Sequence, residues 1–184
     1  MPRIQPVTLE TARGETKTTL EAVKGKFGMV PNLVEIIAAS PAALQAYVAI
    51  GGALDNGVFD APTREAIALT VAGANGCDYC ASAHSAASKG LKVADDEIEA
   101  RLGGRSSDDA LNSLLSFARS VVETRGFVSD DELHAVRNAG YSDEEIAETV
   151  ALVVANIFTN YFNHVAETEI DFPVVDASAY KTAA

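Results

Sequence analysis

The sequence predicts an all-α protein. Apolar residues recur at helical spacing along nearly the whole chain, and caps with first-turn acids recur ahead of those stretches. No run alternates apolar and polar residues as a half-buried strand would, and no Asn-Gly turn joins two such runs.

The elements follow in order. Leu20, Val23 and Phe27 share a face and mark a first helix. Pro31 and Pro41 sit where two more helices open, since a first-turn proline loses no intrahelical bond. Asp60-Ala61-Pro62-Thr63-Arg64-Glu65 combines a cap, an early proline and a first-turn acid. The stretch it opens, Ala66 to Ala74, is apolar all round and is expected to be deeply buried. Asn75-Gly76 ends it. The next helix runs from Cys77 or Asp78 to Lys89, with Gly90 as its stop, and residues 103–109 read as a loop. Leu111, Leu114, Leu115, Ala118, Val121 and Val122 form one face of a later helix. Ser129-Asp130-Asp131-Glu132 and Ser142-Asp143-Glu144-Glu145 each read as a cap followed by acids that suit the positive helix end. The second opens a long stripe: Ile146, Val150, Val153, Ile157, Tyr161 and Val165. Pro173 keeps the segment 171–176 non-helical, and the final residues are expected to fray.

The sequence also echoes itself. Offset by 83 positions, Gly57, Asp60, Glu65, Ala68, Leu69, Val71 and Ala72 match Gly140, Asp143, Glu148, Ala151, Leu152, Val154 and Ala155. The register sets Cys77 over Asn160 and Cys80 over Asn163. It reads as a duplicated helical pair, one copy holding thiols and the other amides.

Composition narrows the function. Lys plus Arg number 14 against 26 Asp plus Glu, a formal net charge of −12. Such a surface repels phosphate backbones and anionic lipid, so neither nucleic acid nor membrane is an expected partner. No apolar run approaches the ~20 residues of a membrane span. The start, Met1-Pro2-Arg3-Ile4-Gln5-Pro6, lacks the apolar core of a secretory signal, so a cytoplasmic location is expected. In a reducing compartment a lone pair, Cys77 and Cys80, is redox-catalytic or metal-binding rather than a structural framework.

The chemistry centres on Cys77-Asp78-Tyr79-Cys80-Ala81-Ser82-Ala83-His84. A thiol attacks as thiolate, so its ordinary pKa of ~8.5 must be lowered. The positive end of a helix does this, and i,i+3 spacing puts both sulfurs on one face. His84 follows Cys80 by one turn on that face. If the two helices meeting at Gly76 pack antiparallel, Glu65 comes level with the later turns of the second. Thiol, imidazole and carboxylate then form a relay. The helix end favours Cys77 as the acidic thiol and the neighbouring His84 favours Cys80. Zinc would need ligands beyond two thiols and His84, and only His134 and His164 are left among the histidines. Both read as structural.

Glu65, Cys77-x-x-Cys80 and x-x-x-His84, in an Ala-rich helical chain, resemble the AhpD-like alkylhydroperoxidases of the carboxymuconolactone decarboxylase superfamily. The nearer likeness is to its peroxidase-related members, through Val30-Pro31-Asn32 and Thr168-Glu169-Ile170-Asp171-Phe172-Pro173. The likeness covers about residues 25–173, the core of a single AhpD-like domain over 1–184 with peripheral ends. The superfamily's decarboxylases lack the cysteine pair, so decarboxylation is not expected.

The resemblance implies a homo-oligomer, a trimer or hexamer, and thiol peroxidase chemistry with no bound cofactor or metal. By the family pattern Cys80 attacks a hydroperoxide and becomes a sulfenic acid, and Cys77 resolves it as a disulfide. Glu65 and His84 relay the proton. A thiol reductant, a lipoylated protein or a small dithiol, restores the pair. One departure is Tyr79, where the best-known branch has a second histidine. Two other readings use the same residues: a disulfide oxidoreductase for protein or small thiols, and a redox- or zinc-responsive oligomeric interaction protein.

Overall fold

The computed structural model describes residues 2–181. It contains α1 (Gly14–Phe27), α2 (Asn32–Ile37), α3 (Pro41–Leu54), α4 (Ala61–Asn75) and α5 (Asp78–Gly90). There follow α6 (Asp95–Leu102), α7 (Asp109–Glu123), α8 (Asp130–Asn138), α9 (Asp143–Ala166) and a short 3-10 turn (Ser178–Tyr180). No strand occurs among the described residues, so the all-α prediction holds. The expected fraying falls on residues 182–184, outside the described residues.

The hub is α4. Asp60 Oδ1 accepts from the Thr63 N–H at 2.9 Å and caps its start, and Pro62 sits in its first turn. Nine consecutive residues, Ala66 to Ala74, are buried. The helix packs against α5, α6, α7 and α9 at once. Gly73 allows the tightest approach: a Cβ there would lie 2.0 Å from the Leu102 carbonyl oxygen at the end of α6. Two apolar clusters lie on either side. Leu69 and Ala72 join Leu20, Val34, Ile37, Leu44 and Cys80 in one. Ile67 and Val71 join Leu114, Leu115, Val136 and Val153 in the other.

Two capping boxes hold the later helices. Ser129 and Glu132 close the start of α8, and Ser142 and Glu145 the start of α9. The C-terminal segment then straps the molecule together. Asp171 Oδ2 accepts from the Asn32 N–H at 2.8 Å, and the Val175 N–H donates to Ser82 Oγ at 2.9 Å. The Ala177 N–H donates to Asp78 Oδ1 at 2.9 Å.

Four expectations are corrected. First, α9 runs unbroken from Asp143 to Ala166, whereas Gly76, left-handed at φ 62°, splits the first stretch into α4 and α5. Among the described residues no second helical pair answers α4 and α5 in this register, and the echo reduces to two capped helices packed against each other. Second, the buried face of α9 is not the apolar stripe. Ile146 and Val153 are buried, but Val150, Tyr161 and Val165 are exposed. The face turned inward carries Thr149, Leu152, Asn160 and Asn163. Third, 91–102 went unassigned, yet Asp95, Asp96 and Glu97 open α6 there, and Ile98 and Leu102 bury its short apolar side. Fourth, the loop at 103–109 ends one residue early, since Asp108 caps α7 and Asp109 already belongs to it.

Candidate active site

The site lies where α4, α5 and α9 meet. Gly76 turns the chain sharply, so α5 returns along α4. Cys77 becomes the N-cap of α5 and Cys80 lies in its first turn. Unpaired N–H groups and the helix dipole there favour a negative charge on sulfur. Both cysteines are unbridged and buried, at 1% and 2% exposure.

One turn on, His84 Nδ1 lies 2.8 Å from Glu65 Oε2. The imidazole and carboxylate that the sequence sets on two successive helices therefore meet. Burial opposes a charge on His84, but Glu65, by charge and hydrogen bond, outweighs it. With help from Cys80, the imidazole pKa is pushed up to about 9. An imidazolium thus sits beside the sulfur at neutral pH.

The two thiols are driven apart. A hydrogen bond from Cys77 lowers the pKa of Cys80 against the effect of burial, and His84, Asn160 and Thr159 lower it further. The same hydrogen bond, burial and the neighbouring sulfur's charge push the Cys77 thiol up. Such a pair titrates as a unit, with Cys80 the member that ionises first.

A cavity of about 900 Å³ reaches this thiol. Cys80, His84 and Glu65 line it, with Tyr47, Phe158 and Phe172 among its apolar walls. Cys77 lies outside the lining, behind Cys80. Phe27, Met29 and Ile50 line it too and are exposed, at 52%, 39% and 37%. Asp55 binds both Lys26 and Arg64, the latter at 3.5 Å, and ties α1 and α4 to the end of α3. Neither His134 nor His164 lines the cavity. Among the described residues no group of three or more His, Cys, Asp or Glu side chains is placed to hold a metal ion.

Tyr79 takes no part in the relay. Its hydroxyl accepts from the Leu33 N–H at 3.2 Å, and its ring meets Phe172 edge-on at 5.8 Å. Burial raises its pKa, so it keeps its proton and acts as a packing residue.

The other wall comes from α9, and here sequence reading found the residues without their role. Asn163 Nδ2 donates to Cys80 Sγ at 3.2 Å. Thr159 Oγ1 lies 3.9 Å from the same sulfur, and Asn160 Oδ1 accepts from Asn75 Nδ2 at 2.9 Å. The signal was the echo that set Cys80 over Asn163, together with amides recurring at helical spacing in an apolar helix.

Comparison with known proteins gives three findings. Residues 41–124 match the model of the carboxymuconolactone decarboxylase family. An uncharacterized protein of Haemophilus influenzae is 54% identical over 46 residues, 24% of this chain and 41% of that protein. The match thus spans less than half of that relative. Two solved structures share the fold. A peroxidase-related protein from Ralstonia eutropha JMP134 with an alkylhydroperoxidase AhpD core superposes with a TM-score of 0.83 at 22% identity, covering 92% of both chains. The debrominase Bmp8, in complex with 2,3,4-tribromopyrrole, gives 0.79 at 19% identity, covering 92% of this chain and 91% of that one.

Proposed function

We propose that this chain is an AhpD-like member of the carboxymuconolactone decarboxylase superfamily and a cofactor-independent thiol peroxidase that reduces organic hydroperoxides. One observation carries the reading. An acidified thiol, Cys80, faces a cavity beside a His84–Glu65 pair, with a second thiol, Cys77, directly behind it.

The reaction balances on these groups. The Cys80 thiolate attacks one peroxide oxygen and the O–O bond breaks. The leaving alkoxide takes the proton that His84 holds, and departs as alcohol. Cys80 is then a sulfenic acid. Cys77 gives up its proton and its sulfur attacks Cys80. Hydroxide leaves with that proton as water, and a disulfide remains. Two electrons have passed from the dithiol to the peroxide. A dithiol reductant returns them by exchange and is itself oxidised. A small dithiol, or the slim arm of a lipoylated protein, suits a disulfide set inside a cavity better than a folded protein's dithiol would.

The cavity supports the substrate class. At about 900 Å³, with Phe27, Phe158 and Phe172 in its walls, it has room and apolar surface that hydrogen peroxide cannot use. A bulky hydroperoxide such as cumene hydroperoxide is expected to give the higher kcat/KM. The structural likeness to a debrominase, with these same aromatic walls, supports a second class, a brominated aromatic. There the dithiol and Ar–Br would give Ar–H, HBr and the disulfide.

The test is turnover of cumene hydroperoxide, hydrogen peroxide and a bromopyrrole with dihydrolipoamide as reductant. Efficient turnover of the first, lost in Cys80→Ser and in Cys77→Ser, is the expected result. Dithiol–disulfide exchange with no peroxide turnover would overturn it in favour of an oxidoreductase.

A further inference from the structure

The relay on α5 accounts for one side of Cys80 and leaves the α9 side without a role. Asn160 is wholly buried and Asn163 is 5% exposed. Buried carboxamides normally satisfy all their polar atoms, because an orphaned one costs free energy. These two do not. Asn160 Nδ2 and Asn163 Oδ1 have no nitrogen or oxygen partner, and Asn160 acts instead on Cys80, whose pKa it helps to lower. What Asn163 does have is sulfur: its Nδ2 donates to Cys80 Sγ at 3.2 Å. Asn160 is held beside it through its oxygen, by Asn75 at 2.9 Å, which leaves its N–H edge free of protein oxygen.

We infer that the carboxamide of Asn163, backed by Asn160, is the thiolate-binding group of this site, a neutral donor that stabilises the negative charge on Cys80 whenever the pair is reduced. The inference rests on the dithiol reading above and deepens it. A carboxamide N–H aimed at a buried sulfur lowers the cost of its anion by replacing part of the hydration the sulfur has lost. It adds no charge, so the sulfur remains nucleophilic. Asn163 also favours the anion of Cys77, which must form to close the disulfide. Once Cys80 is a sulfenic acid, the same N–H2 group is left for the second sulfur.

The test reads the thiolate and needs no peroxide. Asn163→Asp keeps the shape and replaces the N–H2 donor by a carboxylate oxygen, and Asn163→Ala removes the amide. In both, the pH midpoint of thiolate absorbance and of iodoacetamide labelling of Cys80 is expected to rise by about one pH unit or more. Glu65 and His84 are untouched in both variants. In the unmodified protein, the side-chain amide NMR resonance of Asn163 should titrate with the same midpoint as Cys80, and should stop doing so in Cys80→Ser. Midpoints that do not move in folded variants, or an Asn163 amide that ignores the Cys80 titration, would overturn the inference. Because the unmodified protein supplies the second readout, a variant that fails to fold leaves the question decidable. Failure of peroxide turnover alone would count against the peroxidase reading and leave this one standing.

Discussion

A thiolate with 2% exposure is costly unless charge and hydrogen bonds offset the loss of water, and Cys80 has both. The imidazolium of His84 supplies the charge, which sets a pH window for the reaction. The Cys80 pKa is lowered, so its thiolate is present above that depressed value and lost as pH falls through it. The His84 pKa is raised to about 9, so its proton is present below that and lost above. The rate of hydroperoxide consumption should therefore rise from acid pH, level off through neutrality and fall above about 9. A rate still climbing past that point would mean that His84 does not serve as its charged form. The same pair has a stability signature. Its contribution is fully present below the unfolded histidine value near 6.5 and is lost as pH rises through about 9. Glu65→Gln should cut the rate on the order of 10²-fold and bring the histidine midpoint down, as an NMR titration of the ring would report. The spacing of Glu65, Cys77, Cys80 and His84 was legible because helix periodicity fixes levels along an axis. The role of Asn163 was not, since an amide in an apolar helix reads as an ordinary polar position until its partner is known.

At the scale of elements, the helices declared by caps and prolines were the legible ones. Asp60, Ser129 and Ser142 each accept the N–H bond that their sequence announced. Ser142→Ala should cost about 1 kcal/mol, read by chemical denaturation. The elements that were missed depend on distant partners. Eight residues make up α6, and its burial comes from packing against α4 rather than from an apolar stripe of its own. The inward face of α9 was misjudged because the site draws Asn160 and Asn163 inward and leaves valines outside. Two glycines separate packing from propensity. Gly73→Ala would set a methyl 2.0 Å from the Leu102 carbonyl oxygen, and should destabilise by about 1–3 kcal/mol. Gly25→Ala on α1 meets nothing within 4 Å and should stabilise by about 0.5–1 kcal/mol. Equal effects at the two positions would contradict the close α4–α6 approach.

Over the whole molecule, the exposed part of the α9 stripe has another use. Val150, Val154, Tyr161 and Val165 are exposed at 38%, 56%, 57% and 61%, spaced along one side of α9. We propose that they seat a neighbouring copy in the homo-oligomer, trimer or hexamer, that the family resemblance implies. Light scattering should give a multiple of the 19.3 kDa chain mass, and Val154→Glu with Tyr161→Glu should reduce it. A monomer at micromolar concentration would remove that proposal. No helix among the described residues is long and apolar enough to cross a membrane.

If Cys80 and Cys77 act as one peroxide-driven dithiol, a free-thiol count with intact mass will show it, taken before and after one equivalent of cumene hydroperoxide on metal-stripped protein. Both thiols should be lost and the mass should fall by about 2 Da, with a sulfenic acid trapped at Cys80 in Cys77→Ser. Both thiols persisting, or a sulfenic acid trapped only at Cys77 in Cys80→Ser, would contradict it.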